Sequence, residues 1–282
     1  MSKKVTVLIN SCDLYKSAWE PFLELFLIQW PDCPYDFVIN SETLDYTGNK
    51  KNVKAVHPDD KNMTWTQRFR YALNHIESEY VLFFIEDYFV LKPVNTRVFE
   101  HAVKVMDENP NVGMISLAST QKTGIKTDDY EDNDFYSRKI DEKNLIWCRT
   151  NLYRKDYLLK LLRDHETIWN FEFYASYRAM KLPYIILQQN NNSPETFTFS
   201  VKVENGIGIT RRKWLKGNVD LFRKYNINVD FDELGFHGES APKKPAEENG
   251  GLLRESAYKV KKWMRNKKKE MKTQIGIIKS KR

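Results

Sequence analysis

VLFFIEDYFVLKPV (residues 81–94) drives five apolar residues straight into Glu86 and Asp87, then turns apolar and aromatic again. A run so rich in branched and aromatic side chains reads as a buried strand. Each bare carboxylate at its end is costly to take out of water. The pair therefore calls for a partner: a divalent cation with a phosphate ligand, a proton used in acid/base work, or structural hydrogen-bond donors.

The flanking sequence sets this strand in an alternating pattern. VTVLIN (5–10) is a β-branched run ended by Ser11 and Asp13, followed after a short loop by WEPFLELFLIQW with the apolar spacing of a buried helix. YDFVIN (35–40) and VKAVHP (53–58) read as two short strands, and WTQRFRYALNHI (65–76) as a helix opened by Thr64 as N-cap. Beyond the quoted stretch, NTRVFEHAVKVMDENP is a helix stopped by Pro110, and VGMISLA is again a strand. Strand–helix alternation predicts an α/β sandwich with a mostly parallel central sheet, whose ligands bind outside the carboxyl ends of the strands. Asn10, Ser11, Asp13, Asn40, Glu86 and Asp87 all fall at such ends, and their convergence on one crevice is the expectation.

After Thr120 the polar, acidic run QKTGIKTDDYEDNDFYSRKIDEKN reads as a long surface excursion. RKDYLLKLLRD and WNFEFYASYRAM then read as helices, YIILQQ as a strand, and ITRRKWLKGNVDLFRKYNI as containing a basic helical stretch.

The 282 residues are 41% apolar and 13% aromatic, enough for a packed core. No stretch approaches the roughly 18 to 20 apolar residues of a membrane span, and the opening MSKKVTVLINSCD has too short an apolar run for a signal peptide, so the expected location is cytoplasmic. Cys12, Cys33 and Cys148 are odd in number and lack metal-ligand spacing, which points to structural thiols. The net charge of +7 is concentrated at one end. Residues 243–282 hold 14 Lys/Arg against 4 Asp/Glu, a balance of +10, which leaves −3 for residues 1–242. A mildly acidic body argues against nucleic-acid tracking. The division expected is therefore a catalytic domain over 1–242 and a basic extension over 243–282. In that extension Leu253, Ala257, Val260 and Met264 share one helical face beside Trp263, with lysines elsewhere, as in amphipathic helices that lie on anionic membranes. Peripheral contact through residues 252–272 at the inner face of the plasma membrane is the expectation; a solvated charged helix or a nucleic-acid contact of this segment is the plainer alternative.

Magnesium and manganese bind through one or two carboxylates plus substrate phosphates, which suits an acidic pair at a crevice. No Walker loop and no G-x-G-x-x-G follows the first strand, so phosphate binding of those kinds is disfavoured. The order VLINSCD, TWTQRFRYALNHI, EYVLFFIEDYFVLKPV and TIWNFEFYAS resembles nucleotide-sugar glycosyltransferases of the GT-A fold, of the inverting family-2-like kind, over most of residues 5–240. The resemblance implies that Asp87 matches the last acid of a D-x-D-like metal and diphosphate motif, with Glu86 beside it, although Ile85 stands where a second aspartate is usual. It implies Glu172 as the general base that deprotonates an acceptor hydroxyl; a helix-start acid favoured by the dipole is the plainer reading. It further implies donor contacts near Trp65 and Arg68, and His237 of GFHGES as a metal ligand alongside Asp87. Arg211, with Arg212 and Lys213, is a candidate to cover the leaving diphosphate, a solvated basic helix start being the plainer reading; Trp147, Trp169 and Tyr174 are candidates for a sugar platform, with core packing the commoner fate of a tryptophan. The activity implied is inverting sugar transfer from a UDP-sugar to a glycan or lipid-linked oligosaccharide in surface polysaccharide synthesis, with manganese or magnesium. Two alternatives stay open: a nucleotide-sugar pyrophosphorylase, and a non-catalytic membrane-docking scaffold.

Overall fold

The computed structural model describes residues 4–117, 125–139, 146, 148–199 and 208–238. The basic extension expected over 243–282 and the platform candidate Trp147 lie outside the described residues.

The first half follows the alternation. β1 (Val5–Asn10), α1 (Trp19–Gln29), β2 (Asp36–Asn40), β3 (Val53–Val56), α2 (Trp65–Asn74), β4 (Tyr80–Ile85), α3 (Thr96–Glu108) and β5 (Val112–Ser116) succeed one another, with a short 3-10 helix over Asp13–Ala18. Thr64 caps α2 in a reciprocal box with Gln67, so two of the helix's orphan amides are satisfied locally. The strands β1 and β4 are buried on both faces with a strict period of two. Val5, Val7 and Ile9, with Tyr80, Leu82 and Phe84, pack against α1 and α3 on one face. Leu8, Val81 and Phe83 pack against α2 and the later helices on the other.

The second half departs from the sequence reading in three places. The acidic excursion contains two paired strands, β6 (Ile125–Glu131) and β7 (Phe135–Lys139), which close one edge of the sheet. β6 is almost wholly exposed, so it has no apolar alternation to betray it. NLYR forms β8 (Asn151–Arg154), which leads directly into α4 (Lys155–Leu161). ITRRKW is a hairpin of β10 (Ile209–Thr210) and β11 (Lys213–Trp214) rather than the start of a basic helix; the helix, α6 (Gly217–Lys224), follows it. Between them lie α5 (Ile168–Ala179) and β9 (Ile185–Gln189), both as expected.

The nine-stranded sheet runs β3-β2-β1-β4-β8-β5-β9-β7-β6. β8 and β7 run against the other seven, so the sheet is mixed but mostly parallel, with helices on both faces. This is the expected αβα sandwich. From β1 the chain moves outward through β2 and β3, then returns across to β4 on β1's other side. The order therefore reverses between β1 and β4, the place where open α/β sheets leave a crevice for ligands.

Candidate active-site cleft

The crevice is present. A cleft of about 560 Å³ opens at the carboxyl ends of β1 and β4. Asn10 pairs in register with Ile85, so Asn10 and Ser11 stand beside Glu86 and Asp87, and all four line the cleft. Trp65 and Arg68 of α2, Glu172 and Trp169 of α5, and Arg211 of the hairpin reach it from the surrounding elements.

Glu86 is 3% and Asp87 8% exposed, which makes the pair the most unusual electrostatic feature of the fold. Burial lifts Glu86 well above the carboxylate range, and the neighbouring Asp87 charge adds to it. Burial also raises Asp87, from an ordinary 3.8 to about 7, against the pull of the Ile209 amide. That amide donates to Asp87 Oδ2 at 3.3 Å, and the Gly208 amide to the Asp87 carbonyl at 2.7 Å. Glu86 Oε2 is buried with no hydrogen-bond partner. Two adjacent buried carboxylates, one oxygen orphaned, are a hard-oxygen donor set that fits a divalent cation sharing its shell with phosphates and water. Among the described residues no group of three or more His, Cys, Asp or Glu could hold an ion.

Glu172 lies in the second turn of α5, whose N-cap is Thr167. This is beyond the first turn, where the helix dipole favours an acid, so the plainer reading of the residue loses its main support. Burial raises its pKa, opposed by the hydrogen bond from the Cys148 amide (2.8 Å) and by the charge of Arg149. The carboxylate is thus oriented by a backbone donor, half-buried, and aimed at the same space as the acid pair. Three residues earlier Trp169 stands 71% exposed at the cleft wall, and Tyr174 points to a separate aromatic group with Phe173.

Asp13, Asn40 and His237 do not line the cleft. The carboxylate of Asp13 accepts the amides of Glu42, Thr43 and Leu44 and the Thr43 hydroxyl, so it folds the loop after β2 instead of meeting a ligand. Asn40 is wholly buried and donates to Asn10 Oδ1 at 2.5 Å, one layer behind the surface. His237 is fixed through its backbone amide to the Trp214 carbonyl, 2.8 Å away, and is not among the residues that line the cleft. Arg68 does reach the cleft, but its guanidinium pairs with Glu42 at 3.0 Å.

Sequence reasoning missed Glu42, Tyr15, Tyr88 and Arg149, all of which line the cleft. The charge of Arg149 bears on both the Tyr88 phenol and Glu172, linking the two sides of the site. Its partners are distant in sequence, and no local signal marks it. Cys12 is also at the wall, where burial and nearby Glu86 push its thiol up to about 12, so it is an inert thiol.

No protein-family model matches the chain, and no curated protein matches it. Among solved structures it is similar to S. aureus TarS, at 16% identity over 69% of this chain and 36% of that chain with a TM-score of 0.46. TarS 1–349 in complex with UDP-GlcNAc matches over 69% of this chain and 60% of that chain at 0.43. A UDP-glucose pyrophosphorylase complexed with UDP-glucose (10% identity, 67% of this chain, 90% of that chain, TM-score 0.43) is also similar. So is a cytidylyltransferase from Leptospira borgpetersenii (11%, 85% and 99%, 0.42). The chain spans 36% to 60% of the length of these TarS chains. At such identities and scores the likenesses assign no activity.

Proposed function

We propose that the chain is a GT-A-like glycosyltransferase that moves a sugar from a nucleotide-diphosphate donor, a UDP-sugar, to a hydroxyl of a glycan or lipid-linked oligosaccharide with inversion. The observation that carries this reading is one cleft, at the β1/β4 switch point, holding a buried acid pair on one wall and a separately oriented carboxylate, Glu172, on another. Carboxylates with two distinct environments suit two distinct tasks.

In this reading Glu172 takes the acceptor proton. A sugar hydroxyl is a weak nucleophile, and a carboxylate within hydrogen-bond reach assists its attack on an anomeric carbon with oxocarbenium character. The Cys148 amide holds one Glu172 oxygen, leaving the other for the acceptor. Trp169 offers an exposed ring face one turn away, on which the acceptor sugar stacks. Glu86 and Asp87 would hold a magnesium or manganese ion, which when bound supplies counter-charge to the donor diphosphate. Asn10 and Ser11 border the donor side. The loop after β1 contains no glycine and winds into a 3-10 helix, unlike the bare-backbone phosphate cradles of nucleotidyl transfer. Peripheral membrane contact through residues 252–272 and a role in surface polysaccharide synthesis belong to this proposal on sequence alone. No helix among the described residues is long and apolar enough to cross a membrane.

A nucleotide-release assay over a panel of donor sugars, with Glu172→Gln and Asp87→Asn alongside, tests the reading. The expected result is acceptor-dependent release that drops by about 10²–10⁴ in Glu172→Gln. Undiminished turnover in both variants sinks the site assignment. Pyrophosphate formed from a nucleoside triphosphate and a sugar phosphate would move the chain to nucleotidyl transfer, and silence with every donor to a scaffold.

A further inference from the structure

A second cavity, of about 290 Å³, opens at the opposite end of α5 from the cleft. Trp169 near the start of the helix lines the cleft, whereas Ala179 and Met180 at its end line this cavity, about 15 Å further along. The edge strands supply another wall. Ser137 of β7 pairs with Leu187, and Phe135 and Leu187 belong to the core that α1 and α3 cover. The period of two therefore turns the next residue, Arg138, to the α4/α5 face, where it lines the cavity at only 4% exposure. Lys139 lines it too, and is exposed.

The β6–β7 pair concentrates positive charge here. Lys126 stands in register with Arg138, and like charges directly opposite each other destabilise a ladder. Lys126 is answered by Glu131 at 2.5 Å. Among the residues lining the cavity Asp129 is the sole acid; it accepts the Thr127 hydroxyl through Oδ2 at 2.6 Å, which leaves Oδ1 for another donor. Met180, Pro183 and Tyr184 make an apolar wall, and Lys160 pins the Tyr184 phenol at 2.7 Å. The Tyr157 ring packs 4.8 Å from that of Tyr184 and is seated so closely on Gly113 that a Cβ there would lie 2.7 Å from Tyr157 Cγ. Its hydroxyl is wholly buried with no hydrogen-bond partner, and the charge of Arg138 bears on it. Native folds rarely leave such a group unmatched.

We propose that this cavity is a second binding site, for a small sugar phosphate: Arg138 and Lys139 take the phosphate, Asp129 and Thr127 take ring hydroxyls, and Met180, Pro183 and Tyr184 cover the apolar face of the ring. A guanidinium fork matches phosphate oxygens bidentately, and a buried charge is screened little by salt. The volume lies at the lower end of ligand pockets, about 300–1,000 Å³, which suits a ligand of one ring rather than a nucleotide sugar. The assignment is independent of the chemistry in the cleft.

Calorimetric titration of the full-length protein with glucose 1-phosphate, inorganic phosphate and glucose tests it, with no turnover involved. Glucose 1-phosphate is expected to bind at least tenfold more tightly than either phosphate or glucose. Lys139→Gln and Asp129→Asn alter exposed side chains and keep the fold, and each is expected to weaken binding at least threefold. Arg138→Gln is expected to abolish binding, with circular dichroism checking that the variant folds. Trp169→Ala in the cleft and Lys104→Gln on α3, which removes a lysine that pairs with Glu108, are expected to bind like wild type. Wild-type protein that does not bind glucose 1-phosphate overturns the proposal. So does undiminished binding in both Lys139→Gln and Asp129→Asn, whether or not Arg138→Gln folds. Binding lost in Trp169→Ala and kept in Lys139→Gln moves the ligand to the cleft and overturns the second site. Inorganic phosphate that binds as tightly as glucose 1-phosphate overturns the sugar contacts.

Discussion

Gly208 fixes the hairpin onto the acid pair, and its replacement by alanine has a cost that follows from distances. A Cβ there would lie 2.1 Å from Phe89 Cε2 and 3.0 Å from Cδ2 and Cζ. Phe89 is 4% exposed, with the Phe222 ring 4.9 Å away edge-on and Trp214 stacked at 6.3 Å, so the ring has nowhere to swing. The backbone must move instead. That move pulls the Gly208 and Ile209 amides off Asp87 and loosens the Asn218 side-chain bond to the Gly208 carbonyl at 2.7 Å. Overpacking of about 1–3 kcal/mol plus three weakened hydrogen bonds of about 0.5–1.5 kcal/mol each gives a loss of about 2.5–7.5 kcal/mol. Urea unfolding of wild type and Gly208→Ala reads this as a lower midpoint at unchanged slope. A difference below about 0.5 kcal/mol, the range of an inert surface change, would show that the close approach is absent and that the hairpin is not seated on Asp87.

Stability of the protein without nucleotide or divalent ion falls as pH rises from near 4 to about 7. The folded chain keeps protons on Glu86 and Asp87 that the unfolded chain has released above their ordinary values of 4.5 and 3.8, so stability present at low pH is lost through the raised range, by about 1.4 kcal/mol per pH unit and proton. Urea midpoints at pH 4.5 and 7.5 measure the slope, which Asp87→Asn flattens; a level wild-type profile would contradict the buried pair. Arg178 forks onto Glu166 at 2.8 and 2.6 Å, and Glu166 is 1% exposed. Arg178→Met strands that buried carboxylate and costs about 3–5 kcal/mol by chemical denaturation; a loss under 1 kcal/mol means water reaches it. Trp169→Ala leaves stability within about 0.5 kcal/mol because the ring is exposed, yet it raises the acceptor KM; an unaltered KM removes Trp169 from the acceptor side.

The first half of the fold was legible because its elements declare themselves locally. Apolar runs of β1 and β4 end in polar residues, and Thr64 with Gln67 spells a helix start. β8 was not legible: four residues, NLYR, run into a helical pattern, and only pairing with β4 and β5 makes them a strand. β6 and β7 were hidden for the opposite reason, as polar edge strands lacking a buried face to impose alternation. At the cleft, strand-end logic anticipated that Asn10, Ser11, Glu86 and Asp87 meet, since topology alone brings the ends of β1 and β4 together. The same logic misplaced Asp13, whose loop partners Glu42 to Leu44 lie some thirty residues on and carry no motif. Glu172 was found through resemblance, whereas Arg149, which bridges toward it, has no pattern to follow.

The reversed strand β8 also shapes how the chain comes together. It is the sole link between the block β3-β2-β1-β4 and the block beginning with β5. During synthesis β4 is complete by residue 85 and β5 by residue 116, yet each keeps an open inner edge until residues 151–154 arrive. Unpaired edges are templates for pairing with another chain. The window between those lengths is therefore when the nascent protein is most exposed to aggregation, and a chain truncated before Asn151 keeps both edges open. Docking of β8 is a non-local event that joins the two blocks, and its entry segment carries Cys148 and Arg149, which line the cleft beside Glu172 once α5 has followed.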